Sequence, residues 1–360
     1  MLELSDQLGC VFGIGLTPIG ANLEVWEHKI AALSLEIKQA VETAGGSPWS
    51  QRKDVSLGLL RSVHDLWWDR HEQEPMHYQS ELQLINTAAN WTGEKAQKSQ
   101  WCPFKSEGSF FAPPKFLGCS FDSLTDDFVL ALSLNHKLAT EEKLVAEAKA
   151  QEQRGTAWTS HVEYFEQPYA YGTFFKRRHT VLSMRDRPDR GWEQGGAEED
   201  WLSTNRNSLY VEVLPTRSNK QALIPQHAAS ILDSTWLMRL NQLVINVAFD
   251  VMCPRYILVA GKLAMQHVER LGKMGNWNVS RFNFQDPVWN ADSPDFKVAH
   301  PTANQKVATL LTDDTGRRCV KCYFLATVSG PNSHAEKRRV GRLLFHGEQG
   351  MKRYEHKERR

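Results

Sequence analysis

The sequence predicts an α/β fold: a three-layer α/β/α domain around a central four-stranded parallel sheet, preceded by a helical N-terminal region. Two observations carry it. Four short, nearly continuous apolar runs occur after residue 126: FVLALSL (128–134), LYVEVL (209–214), RYILVAG (255–261) and CYFLATV (322–328). Helical periodicities separate these runs, whereas the residues before about 110 show helical patterns alone. Apolar strands that alternate with helices belong to parallel sheets covered on both faces. The expected boundaries are a helical region over 1–120, the α/β domain over 121–348 and a basic tail over 349–360.

In NLEVWEHKIAALSLEIKQAVETAGG, the residues Leu23, Trp26, Ile30, Leu33, Ile37 and Val41 form one apolar helical stripe, with Gly45 placed to end it. DVSLGLLRSVHDLWWDRHE (54–72) reads as a second helix, and its Trp67–Trp68 pair suits core packing or stacking on a base. YQSELQLINTAANW (78–91) reads as a third helix, and the Gly-, Pro- and Ser-rich stretch 102–123 as a linker. Within the α/β part the clearest helix lies in ASILDSTWLMRLNQLVINVAFDVM (229–252). There Ile231, Leu237, Leu240, Val244, Val247 and Val251 keep helical spacing until Pro254 stops it. Residues 185–207 read as a long polar loop.

A chain of 360 residues with 41% hydrophobic and 24% charged residues is of ordinary globular composition, and a net charge of +1 does not by itself mark a nucleic-acid binder. The charge is uneven, with basic stretches at FFKRRH (174–179) and from residue 336 onward. Such stretches suit phosphate attraction or a solvated end. Among 6 cysteines only Cys319 and Cys322 are close. Read as a strand, CVKC points its two thiols to opposite faces, a poor arrangement for one metal. No metal or cofactor is expected. The cysteine usage, the absence of a basic region before the first apolar residues, and the lack of a membrane-length apolar run suggest a reduced, cytoplasmic protein.

Ligands of parallel sheets bind beyond the C-terminal ends of the strands. The first run exits through Leu134, Asn135 and His136. The second carries Glu212 and exits through PTRS (215–218). The third exits at Gly261–Lys262, and the fourth through SGPNSH (329–334). These motifs and their order resemble the uracil-DNA glycosylase superfamily. LALSLNHKL is similar to that family's first motif, LYVEVLPTRS and CPRYILVAGKLAMQHV to its second and third strands, and CYFLATVSGPNSHAEKRRVGRLL to its last strand, loop and closing helix. The resemblance spans about 128–345 and does not explain the N-terminal helices.

It implies a DNA glycosylase that hydrolyses the N-glycosidic bond of a flipped-out base in duplex DNA and leaves an abasic site, with no cofactor. Departures from the family pattern bear on the substrate. Asn135 is kept, but His136 stands where the family has proline and Ser133 where it has glycine. Gly330 falls on the family's histidine position, and Glu212 on its base-reading asparagine. A carboxylate faces the C4 carbonyl of uracil as acceptor against acceptor, but it suits the exocyclic amine of cytosine. The resemblance therefore implies a modified cytosine, such as a hypermodified or glucosylated hydroxymethylcytosine of phage DNA, as in antiviral defence. Asn135, His136 and Glu212 are the catalytic candidates. Tyr171, Phe174, Phe175, Asn332, Ser333 and His334 are candidates to hold the base, and Arg217, Ser218, Lys262, Lys337 and Arg338 to contact DNA. Asn135 also suits a turn or a helix cap, and Glu212 a salt bridge with Arg217. A catalytically silent nucleic-acid-binding module, a non-DNA hydrolase on the same sheet and a uracil-excising repair glycosylase remain as alternatives.

Overall fold

The computed structural model of the chain describes residues 22–74, 81, 116–117, 123–133, 136–137, 154–155, 158–159, 178–189, 205–213, 217–218, 233–284, 307–322 and 334–358. The described helices are α1 (Asn22–Ala44), α2 (Trp49–Gln73), α3 (Trp236–Asn246), α4 (Lys262–Arg270) and α5 (His334–Glu358). The strands are β1 (Phe116–Leu117), β2 (Val129–Ser133), β3 (His136–Lys137), β4 (Ser208–Glu212), β5 (Arg217–Ser218), β6 (Tyr256–Ala260), β7 (Asn278–Asn283), β8 (Val307–Thr312) and β9 (Arg318–Cys322).

The main sheet has seven strands in the order β1-β4-β2-β6-β9-β8-β7. Its centre, β4-β2-β6-β9, is parallel throughout. The expected α/β sheet with a parallel centre is therefore present, but it is not the expected four-stranded sheet, because β1 on one edge and the β7–β8 pair on the other extend it through antiparallel pairings. The described fourth parallel strand, Arg318–Cys322, shares only Cys322 with the expected run, whose residues 323–328 lie outside the described residues, and it begins at Arg318 because β8 turns directly into it. Asp313 Oδ1 accepts from the backbone amides of Thr315 and Arg317, and Gly316 takes a φ of 84° to close the turn.

Strand alternation divides the core. Leu130, Leu132, Leu209, Val211, Ile257, Val259 and Cys319 face α3 and α4, while Val129, Tyr256, Leu258, Val320 and Cys322 face α5 and residues 181–184. The link from β2 to β4 has described residues on both sides: Arg154 pairs with Asp65 and Asp69 of α2 and Trp158 packs on the α3 side, whereas Val181 and Leu182 lie on the α5 side.

Helix α3 begins at Thr235, whose hydroxyl accepts from the amide of Met238 at 3.2 Å. It runs on into a π turn, Val247–Val251, and no residue from 235 to 252 is exposed. The outer side of α3 is covered by α1 and α2, which share one core with the sheet. The apolar stripe of α1 is buried as expected at Trp26, Ile30, Leu33 and Ile37, and Gly45 follows its end without a positive φ. Trp67 and Trp68 are buried, so the pair is core and not a stacking platform. Trp26 meets Trp236 edge-on, and Arg70 lies over Trp236 while pairing with Glu74 and Glu81. Of the expected third helix only Glu81 is described. It is helical, and it accepts from the amide of Leu237 at 2.8 Å.

On the opposite face α5 is two helical stretches joined at Gly347, where φ is 66°. Arg318 donates to the carbonyl of Phe345 just before this break. The basic stretch read as a tail is the second half of this helix, with Met351 fully buried.

Two outcomes test this packing. A Cβ built on Gly341 would lie 2.2 Å from the carbonyl oxygen of Val181, so Gly341→Ala should lower unfolding stability by about 1–3 kcal/mol in urea titration. The second concerns His64, 2% exposed, whose Nε2 accepts from the indole of Trp68 at 3.1 Å. Burial pushes its pKa down from 6.5 to about 4, with Asp65 pulling the other way. The folded state thus refuses a proton that the unfolded chain accepts. Stability should be complete above pH 6.5 and fall as pH drops toward about 4, by on the order of 3 kcal/mol. In Asn or Gln variants at position 64, this part of the pH dependence should vanish from thermal melts.

Candidate functional site

The four parallel strands end on one edge. Their order places β4 on one side of β2 and β6 on the other, so the chain reverses direction across the sheet between β2 and β6. In open α/β sheets a crevice forms at such a reversal, outside the carboxyl ends of the strands. The described ends of β2, β4 and β6, at Ser133, Val213 and Gly261, therefore lie on this edge.

The β2 and β4 exits are the best defined. Ser133 is the register partner of Glu212, and the amide of Val213 donates to the carbonyl of Ser133 at 2.8 Å. Beyond this rung the two chains meet again as a short parallel pair, with His136 opposite Arg217 and Lys137 opposite Ser218. Two sequence candidates for different roles, His136 and Arg217, are thus backbone neighbours. Asn135 lies between these two rungs in sequence, outside the described residues.

Val211 and Val213 face the α3 side, which puts Glu212 on the α5 side with Tyr210. Its side chain is buried, at 6% exposure. The carbonyl of Glu212 accepts from Nδ2 of Asn241 at 2.9 Å. Asn241 was not singled out by sequence reasoning. The signal was there, as a polar residue inside the apolar pattern of α3.

At the third exit Gly261 is buried with a φ of 97°, a conformation that favours glycine, and its amide donates to the carbonyl of Cys322 at 2.8 Å. Lys262 follows as the first residue of α4. At the fourth exit His334 opens α5. Asn332 and Ser333 lie outside the described residues, as do Tyr171, Phe174 and Phe175, so the expected grouping of Asn135, Glu212 and Asn332 is described only at Glu212.

Several basic residues are placed differently from the expectation. Arg338 is 9% exposed, and Arg342 is fully buried, with Nε donating to the carbonyl of Pro188 at 2.7 Å. Lys337 is half-buried. Arg178, from the FFKRRH stretch, is buried with its guanidinium 5.3 Å from the ring centre of Tyr210. Burial lowers its pKa. The first half of α5 therefore inserts guanidinium groups into the protein, and Arg338 does not present an open cation to a phosphate backbone.

Cys319 and Cys322 belong to the two opposite core clusters, as strand alternation requires. Among the described residues no three His, Cys, Asp or Glu side chains group as metal ligands. No helix among them is long and apolar enough to cross a membrane. Comparison of the chain with protein-family models, curated proteins and solved structures found no match.

Burial pushes the Cys319 thiol up to about 12, and the Cys322 thiol is raised well above its usual range by the same cause. Both should resist iodoacetamide in the native protein and react only after denaturation, whereas half-exposed Cys253 should be modified. Peptide mass mapping checks this, and native modification of Cys319 would contradict the burial of β9.

Proposed function

We propose that the protein is a DNA glycosylase that removes a modified pyrimidine, cytosine-like at its C4 edge, from a nucleotide flipped out of the duplex. The observation that carries the reading is the pairing of the β2 and β4 exits. Glu212, buried and in register with Ser133, ends one strand beside the point where the other continues toward Asn135. We take Asn135, which follows β2 in sequence, as the water-positioning amide and Glu212, at the end of β4, as the base-reading carboxylate, at the edge where ligands of parallel sheets bind. The parallel four-strand core supports the same reading, since it is the sheet that the motif resemblance implies.

In this reading the nucleotide leaves the stack, with Tyr171, Phe174 and Phe175 as candidate stacking partners. Glu212 accepts from the exocyclic amine. Asn135, assisted by His136, orients a water whose oxygen bonds to C1′ as the N-glycosidic bond breaks. The bonding electrons leave with the base, which takes up a proton, and an abasic site remains. Arg217, Ser218 and Lys262 contact phosphates and carry no base information. Asn332, Ser333 and His334 complete the site from the fourth exit. Hypermodified viral DNA is the substrate class this chemistry favours, and antiviral defence the setting.

The test uses duplexes carrying 5-hydroxymethylcytosine, its glucosylated form, 5-hydroxymethyluracil or uracil, with abasic sites as the readout. The unaltered protein should produce abasic sites on a cytosine-type substrate in preference to uracil. Asn135→Ala should abolish excision while binding persists. Glu212→Gln, which gives the edge a permanent donor, should shift discrimination by about 1–3 kcal/mol. Binding without abasic sites on any substrate would favour a silent nucleic-acid-binding module, and preference for uracil a repair glycosylase.

A further inference from the structure

Asn241 has 0% exposure and sits in the stretch of α3 that also buries Leu237, Leu240, Val244 and Ile245. Its Nδ2 donates to the carbonyl of Glu212 at 2.9 Å, and its Oδ1, also buried, has no hydrogen-bond partner. A buried amide that makes a single hydrogen bond is a costly occupant of an apolar helix. That one bond is what separates Asn241 from a leucine of similar size.

The bond falls at a particular place. The amide of Val213 points toward β2, where it meets the carbonyl of Ser133. In a trans peptide the carbonyl of Glu212 points the other way, toward the β1 side. There the described β1 rungs pair Leu117 with Tyr210 and Phe116 with Val211 and go no further. Asn241 supplies a donor to this carbonyl from α3. The Glu212–Val213 peptide is gripped on both sides, by Ser133 through its N–H and by Asn241 through its C=O. Fixing that peptide plane fixes the direction in which the Glu212 side chain leaves the strand.

We propose that Asn241 is a positioning residue for Glu212, and that by orienting the Glu212–Val213 peptide it sets the discrimination between amino- and oxo-pyrimidines. This rests on Glu212 reading the base edge as described above. The side chain of Asn241 meets the backbone of Glu212 from the α3 face, while the carboxylate lies on the α5 face, so Asn241 acts through Glu212 without touching the base.

The experiment compares Asn241→Leu and Asn241→Asp with the unaltered protein, each alone and combined with Glu212→Gln. Leucine removes the donor, and aspartate replaces it with an acceptor at neutral pH. The readout is the ratio of excision rates, or of affinities where excision is slow, for paired oligonucleotides carrying 5-hydroxymethylcytosine and 5-hydroxymethyluracil. Thermal melts are recorded alongside. The expected result is a ratio that falls at least fivefold in both variants and does not change further in the Glu212→Gln background, since the two residues act in series. A purely structural role would lower both rates together and leave the ratio where it was. That outcome, with Glu212→Gln still shifting the ratio, overturns the proposal for Asn241 alone. Additive effects of the two substitutions would also overturn it. If Glu212→Gln leaves the ratio unchanged, the base-reading role itself fails and takes the Asn241 proposal with it. Should neither variant fold, the deciding measurement is a structure of the unaltered protein with a 5-hydroxymethylcytosine oligonucleotide. The proposal requires the Glu212 carboxylate on the exocyclic amine with Asn241 still on the Glu212 carbonyl, and a carboxylate turned away from the base overturns it.

Discussion

Helix α3 and its π turn are enclosed by the sheet on one side and by α1 and α2 on the other, and the remaining layers are arranged around that enclosure. A helix apolar on all sides is stable only when all sides are covered. This accounts for the N-terminal helices, which supply the outer cover, and for a build of α5, sheet, α3 with α4, and α1 with α2. It also accounts for the arginines around the π turn, because irregular backbone in a core needs donors for its carbonyls. Arg317 donates to the carbonyls of Phe249 and Pro254 while lying against the rings of Phe249 and Trp277, and Arg52 donates to that of Met252. Asn241 belongs to the same enclosure, and its donor is used on the sheet.

The exit edge follows from the same arrangement. The sheet grows in both directions from β2, which leaves β2 flanked by β4 and β6. The chemistry proposed for this protein needs groups of different kind on neighbouring strands, and this topology provides neighbours that are distant in sequence. Ser133 and Glu212, and then His136 and Arg217, meet through pairing alone.

The parallel strands β2, β4 and β6 were legible because they lie in nearly continuous apolar runs, a pattern that survives without knowledge of their neighbours. The antiparallel additions were not. NVSRFN, in β7, leaves Asn278, Val279 and Arg281 exposed and offers no continuous run. VATLLT followed by DDTG did carry a hairpin signal, from an apolar stretch and an Asp-to-Gly turn, and that signal went unused. The start of β9 was obscured by Arg318 and Lys321, which look like surface residues. Lys321 is buried and reaches Glu269 at 2.8 Å, so pairing satisfies a charge that composition alone would place outside. The basic stretches misled for the same reason. Sequence gives the charge of Arg178, Arg338 and Arg342 but not the rings and carbonyls that take them inward. For the candidate site, Glu212 could be named from its place at a strand exit, but the hydrogen bond from Asn241 to its carbonyl comes from a helix on the other side, a relation that only the packed structure contains.

The enclosure of α3 also has a consequence in time. The ion pair of Glu27 with Arg239 joins α1 to α3 across 212 residues of chain. A ribosome adding about 5–20 residues per second takes roughly ten to forty seconds to make that interval. During synthesis α1 and α2 therefore emerge with Trp26, Ile30, Leu60 and Trp67 uncovered and without the helix they are to cover. These early elements wait longest for their cover, and for that interval the nascent chain carries a sticky apolar surface of the kind chaperones hold.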